Sequence, residues 1–180
     1  MSGRVTVATC SLAGCFGCHM SFLDLDERLV PLLERVAFDR SPLTDVKHCS
    51  ERVDIGLVEG GLCNEENVHT LLEFRKSCRI LVAVGACAIN GGVPALRNRI
   101  GLQECLDTAY CHGVNAVNRE IPSDPELPLL LAEVRPITDL VAVDHFLPGC
   151  PPPADAFLEL VTALLEGRQP VLPPSLRRFD

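Results

Sequence analysis

The stretch "RILVAVGACAINGG", residues 79–92, is apolar almost without interruption as far as Gly85. A strand with one wet face alternates apolar and polar residues. A run without that alternation fits a parallel strand covered by helices on both faces. Three other short runs rich in β-branched residues read the same way: "RVTVAT" (4–9), "VDIGLV" (53–58) and "LVAVDHF" (140–146). Between them lie helical patterns. Residues 21–36 carry Phe22, Leu25, Leu29, Leu32, Leu33 and Val36 on one face, with Ser21 and Asp24 spaced as a capping box and Pro31 as an expected kink. Residues 64–78 start at Asn64, an N-cap type, with acids in the first turn and bases in the last. Residues 154–167 close on Gly167, and a further helix is expected within 94–109.

Strands alternating with helices predict one α/β domain over residues 1–180, a doubly wound parallel sheet with helices on both faces. Two segments break the pattern. Residues 110–136 hold four prolines and read as an irregular excursion, and the tail 168–180 is irregular too.

The formal net charge of -8 comes from 24 acidic and 16 basic residues, with no basic block, which argues against nucleic acid or an anionic membrane as the main partner. No apolar run approaches the ~20 residues of a membrane span. The start "MSGRVTVATC" reads as a strand rather than a signal sequence. The expectation is a soluble, cytoplasmic protein.

Such a compartment keeps thiols reduced and disfavours structural disulfides, so ten cysteines, at 10, 15, 18, 49, 63, 78, 87, 105, 111 and 150, point to metal or cluster binding by some of them. Cys15 and Cys18 form a C-x-x-C pair between the first strand and the first helix. Cys87 follows the third strand and Cys150 the last. Loops after parallel strands all emerge at the carboxyl edge of the sheet, where ligands bind. These four cysteines are therefore expected to converge there. Four thiolates fit a [4Fe–4S] cluster or a Cys₄ zinc site. Only one C-x-x-C knuckle is present, and proline follows Cys150, which favours the cluster. A competing reading from another class is a thioredoxin-like dithiol oxidoreductase using Cys15 and Cys18 alone.

The ordered set "CFGCHMSFLDLDE", "VDIGLVEGGLCNEEN", "LVAVGACAINGGVPALRN", "DPELPLL" and "FLPGCPPPADAF" resembles the small subunit of [NiFe] hydrogenases over nearly the whole chain. The likeness is strongest to the cytoplasmic, bidirectional, NAD-reducing type. The resemblance implies a flavodoxin-like domain carrying the cluster proximal to a nickel–iron site, with ligands at Cys15, Cys18, Cys87 and Cys150. It implies a nickel–iron large subunit and a diaphorase (flavin and iron–sulfur) module as partners, and the overall reaction H₂ + NAD⁺ = NADH + H⁺. Nickel–iron and NAD belong to those partners, since this chain has no second C-x-x-C pair for nickel and no convincing GxGxxG. Two departures stand out. Uptake hydrogenases commonly carry Glu soon after the C-x-x-C pair, where this chain has His19, Met20 and Ser21. The complex I homologue has adjacent cysteines in place of C-x-x-C. Small subunits of deazaflavin- or sulfur-linked soluble hydrogenases are the alternative within the family.

Further candidates lie at the same edge. Glu59 in "VEGG" is read as a contact to a partner subunit, to the amides of the cluster loop, or to a proton route. His19, next to Cys18, is read either as a partner of a cluster sulfur or as a partly exposed histidine. The loops with Phe16, Met20 and Phe22 are expected to present an apolar contact face. FMN is the remaining cofactor option, suggested by flavodoxin-like topology alone; "GGLCNEEN" is acidic and would repel its phosphate.

Overall fold

The structure, a computed structural model, describes residues 3–115 and 117–177. Its strands are β1 (Val5–Ser11), β2 (Val36–Phe38), β3 (Val53–Glu59), β4 (Leu62–Asn64), β5 (Cys78–Val84), β6 (Leu130–Arg135) and β7 (His145–Leu147). Five of them build a parallel sheet in the order β2-β1-β3-β5-β7. Counting only its own strands, this is the 2-1-3-4-5 order of doubly wound flavodoxin-like folds, as expected. β4 and β6 form a separate antiparallel pair.

The helices are α1 (Gly17–Leu23), α2 (Leu29–Arg35), α3 (Glu65–Ser77), α4 (Gly85–Asn90), α5 (Leu102–Leu106) and α6 (Ala154–Leu165). They cover both faces of the sheet, and the period of two along β5 shows how. Val82 and Val84 pack with Phe22, Phe157 and Leu160 on the α1/α6 side. Leu81 and Ala83 pack with Leu71, Phe74 and Ala88 on the α3/α4 side. Phe74 and Phe157 are fully buried, and truncating either to Ala would cost about 3–5 kcal/mol through lost transfer energy plus a cavity.

Helix α3 has the expected limits. The Asn64 side chain accepts the Asn67 N–H at 2.8 Å, and the Asn67 side-chain Oδ1 accepts the Cys63 N–H at 3.1 Å. Helix α6 also lies where the pattern puts it, followed by Gly167 at φ +68°.

Four expectations are corrected. The helix over 21–36 is two helices: α1 begins at Gly17, the chain turns at Asp26 (φ +49°), α2 follows, and Val36 already belongs to β2. Ser21 is not a cap; its hydroxyl donates to the Pro152 carbonyl at 2.5 Å. Pro31 sits in the first turn of α2, where its missing N–H costs no helical bond. The last strand starts at His145 rather than 140, because the N–H groups of Leu140 and Val141 both bond to the Ile137 carbonyl and close a turn.

Within 94–109, a 3₁₀ segment over Val93–Arg99 precedes the short α5. The excursion 110–136 is not irregular throughout, because β6 pairs with β4. Only Val134 of that strand is buried, so it carries no alternating signal. The tail has a 3₁₀ turn at Pro174–Leu176, and residues 178–180 lie outside the described residues.

Candidate functional site

The carboxyl edge of the sheet runs β1, β3, β5, β7. The loop after β1 carries Cys15 and leads into α1 with Cys18. The turn after β5 is α4, which contains Cys87. The loop after β7 carries Cys150. Backbone bonds stitch these segments together. Leu12 N–H donates to Glu59 O (2.9 Å), Gly61 N–H to Ala13 O (2.8 Å) and Ala86 N–H to Gly149 O (2.8 Å). The Ser21 bond to Pro152 adds a tie from α1 to the Cys150 loop. Gly85, at φ +77°, is where the β5 turn meets the β1 loop: a Cβ there would collide with the Cys18 sulfur. Only glycine permits both that conformation and that approach.

Two of the four candidate ligands, Cys18 and Cys87, feel the others. Burial pushes the Cys18 thiol well above its ordinary range, and the charges of Glu59, Cys87 and Cys15 add to the effect. Cys87 is also raised, chiefly by burial; the Val93 N–H opposes this, and Cys150 and Cys15 add to it. Cys15 and Cys150 are exposed, and Cys18 and Cys87 half-buried. Among the described residues, no three His, Cys, Asp or Glu side chains are gathered closely enough to hold a single metal ion.

Glu59 and His19 are brought together: of the readings made for Glu59 the contact to the cluster-loop amides is the one seen, and His19 lies where neither of its readings put it. Glu59 is the last residue of β3 and only 4% exposed, so it is no surface contact. One carboxylate oxygen, Oε2, accepts the Cys18 N–H at 3.0 Å. The other, Oε1, accepts from Ser11 Oγ at 3.0 Å and lies 2.7 Å from His19 Nδ1. Burial alone would raise this carboxyl; the bonds from His19, Ser11 and Cys18 overcome it and hold it below the ordinary glutamate value. His19 is 6% exposed, which corrects the surface reading. It makes no bond to a cysteine sulfur either. Its Nε2 lies 2.9 Å from Thr9 Oγ1, which bonds Ser41 Oγ at 2.8 Å. The His19 ring stacks on Phe16 with centroids 4.6 Å apart and planes 3° apart.

Thr9, Ser11 and Ser41 were not singled out in the sequence. Their signal was there in part: Thr9, Ser11 and Glu59 interrupt apolar strands just at their carboxyl ends, where a core residue would be expected. Of the predicted apolar contact face, Met20 is 53% exposed, but Phe22 is core, packed on Phe38 and Phe157.

Residues 15–164 match the family described as NADH ubiquinone oxidoreductase, 20 Kd subunit. The chain belongs to that family. Within this 20 kDa-subunit family it is 49% identical to the NAD-reducing hydrogenase HoxS subunit delta of Cupriavidus necator, over 99% of this chain and 87% of that one. It is 39% identical to a subunit of the F420-non-reducing hydrogenase vhu of Methanocaldococcus jannaschii, over 96% of this chain but only 60% of that longer one. The crystal structure of an NAD⁺-reducing [NiFe]-hydrogenase in the H₂-reduced state contains a chain that superposes with a TM-score of 0.95. That chain is 52% identical, with 99% of this chain and all of that one covered. The 20 kDa-subunit family thus supplies relatives that match both the expected sheet and the expected hydrogenase assignment.

Proposed function

We infer that this chain is the electron-relay small subunit of an NAD-reducing [NiFe] hydrogenase. In this reading it holds one [4Fe–4S] cluster on Cys15, Cys18, Cys87 and Cys150. It sits between a nickel–iron large subunit, where H₂ is split, and a diaphorase module, where NAD⁺ is reduced. The observation that carries the reading is that four cysteines on three separate strand-to-helix segments lie along one sheet edge, in a chain 52% identical to part of such an enzyme.

The donor set fits the group. Four thiols with no histidine or carboxylate among them suit a cluster of thiophilic iron, and a single C-x-x-C pair with two isolated cysteines is unlike the paired knuckles of structural zinc sites. When bound, such a cluster accepts and releases single electrons. The chain's own part is positional. Gly85 lets the β1 and β5 segments meet, and the interstrand bonds fix the spacing of the loops. Ser21 anchors α1 to the Cys150 loop. A dithiol oxidoreductase using Cys15 and Cys18 would leave Cys87 and Cys150, brought to the same edge, without a role. Among the described residues no helix is long and apolar enough to cross a membrane.

The test is to purify the native complex and assay iron, sulfide, nickel and H₂-dependent NAD⁺ reduction. About four iron and four sulfide per chain, with a broad band near 400 nm for the anaerobically reconstituted subunit, are expected. Stoichiometric zinc without labile sulfide would exclude the cluster. Transfer of electrons from H₂ to acceptors other than NAD⁺ alone would exclude the NAD-linked assignment and favour the F420-non-reducing relatives' group.

A further inference from the structure

Helix α1 begins without a cap of its own. Phe16, at its N-cap position, sits at φ +66° and offers no side-chain acceptor to the first N–H groups. One of those orphan donors, the Cys18 N–H, instead reaches Glu59 Oε2 from the end of β3. Glu59 is held for this task. Its other oxygen is fixed by Ser11 and by His19, and His19 is itself fixed by Thr9 on one ring nitrogen and by the stacked Phe16 ring on its face. The residues of "CFGCH" (15–19) thus close on themselves: Phe16 clamps His19, His19 clamps Glu59, and Glu59 clamps the backbone of Cys18. All the links, Phe16 included, are buried or half-buried, so water is a poor substitute for any of them.

We propose that His19 and Glu59 are positioning residues that hold the Cys15–Cys18 loop in its ligand-bearing shape before any cluster is bound. This rests on the reading of Cys15 and Cys18 as ligands. The loop has two cysteines, a glycine and a left-handed Phe16, and such a segment would sample many conformations if left to itself. Fixing it beforehand removes that ordering cost from cluster binding. The arrangement has a second effect. The Cys18 N–H, committed to Glu59, is withdrawn from the amides able to bond a cluster sulfur, and such bonds are among the determinants of cluster potential.

The test uses the full-length chain without iron. Amide hydrogen exchange is measured residue by residue for the wild type, His19→Ala and His19→Gln. The Cys18 amide should be protected in the wild type and exchange about ten- to a hundredfold faster in His19→Ala, the range for losing a hydrogen bond to a charged buried group. Amides in the middle of β3 and β5 should keep their protection. His19→Gln, whose side-chain N–H can still donate to Glu59, should restore most of the protection at Cys18. Anaerobic reconstitution should then give less iron and sulfide in His19→Ala than in His19→Gln. Unchanged exchange at Cys18 in His19→Ala would overturn the proposal. So would a loss of protection spread evenly over the sheet, which would make His19 an ordinary core residue. If the wild type takes up no iron and sulfide, the ligand reading fails by itself, while the exchange data still decide the positioning role.

Discussion

Cysteines gather in two regions of this molecule, and the two gatherings are built for opposite ends. On the α3 face of the sheet, Cys10 on β1 and Cys78 on β5 are packed among Ala8, Val58, Leu71 and Phe74, with Cys49 against them. Burial pushes the Cys10 thiol up to about 11 and the Cys78 thiol to about 12. These thiols stay protonated at neutral pH and behave as small apolar side chains. At the carboxyl edge, Cys15, Cys18, Cys87 and Cys150 stand on loops and helix starts. Two of the four are exposed, and glycine rather than bulk lies between them. Cys18 is raised as well, but Glu59 is among the causes there, and the outer side of the set is open. The difference teaches that the chemistry of a cysteine here is decided by what surrounds it: apolar side chains on the α3 face, glycine and open edge at the strand ends.

Replacing either kind tests the contrast most severely. Cys15→Ala, Cys18→Ala, Cys87→Ala and Cys150→Ala should each remove the bound iron and abolish H₂-dependent NAD⁺ reduction in the assembled complex. Cys10→Ala, Cys49→Ala, Cys78→Ala, Cys63→Ala, Cys105→Ala and Cys111→Ala should retain both. Full iron content in Cys87→Ala would break the comparison at once.

Two glycines sharpen it. Gly85 and Gly167 both have positive φ, so Ala at either costs about 1–2 kcal/mol of backbone strain. A Cβ at Gly167 meets nothing within 4 Å, whereas one at Gly85 strikes the Cys18 sulfur. Thermal melts of the two variants should shift alike in kind, but only Gly85→Ala should lose most of its iron.

The sequence made this contrast partly legible. β1, β3 and β5 were plain from their β-branched runs, and together with the last strand, whose start was misread, they were enough to put Cys15, Cys18, Cys87 and Cys150 on one edge. The split of 21–36 into two helices was hidden, because α1 and α2 bury the same side and the apolar spacing runs on through the turn at Asp26. β6 was hidden because it is wet on nearly all of its length. The pairing of His19 with Glu59 joins residues 40 apart through side chains alone, and no local pattern reports such a bond.

On the α3 face the effects are smaller and concern stability. A Cβ at Gly56 would lie 2.5 Å from the Cys78 sulfur and 2.7 Å from Phe74 Cε1. Gly56→Ala should therefore destabilise by about 1–3 kcal/mol through overpacking. Cys78→Ala alone should cost about 1 kcal/mol. The double variant should cost less than the two together, because the second change makes room for the first. Strict additivity in urea melts would show that Cys78 does not fill the space against Gly56.

The smallest effect is one of reactivity. In the iron-free chain at pH 8, iodoacetamide should modify Cys15 and Cys150 well before Cys10 and Cys78. The thiolate is the reacting form, and burial keeps Cys10 and Cys78 as thiols until the pH approaches about 11 and about 12. Mass spectrometry of a time course reads the order directly, and early labelling of Cys78 would contradict the packing described for it.

β7 joins the sheet late in the chain and through three residues only, His145, Phe146 and Leu147, against Val82, Ala83 and Val84. Cys150 stands just beyond it. While the ribosome is still making the earlier part of the chain, β1, β3 and β5 can pair, yet the set of thiols they bring together stays one short. On the ligand reading proposed above, a cluster offered at that stage finds three anchors and an open corner. Loading on that reading has to wait until the edge strand has docked. A chain that fails to seat its last strand is also a chain that cannot be charged.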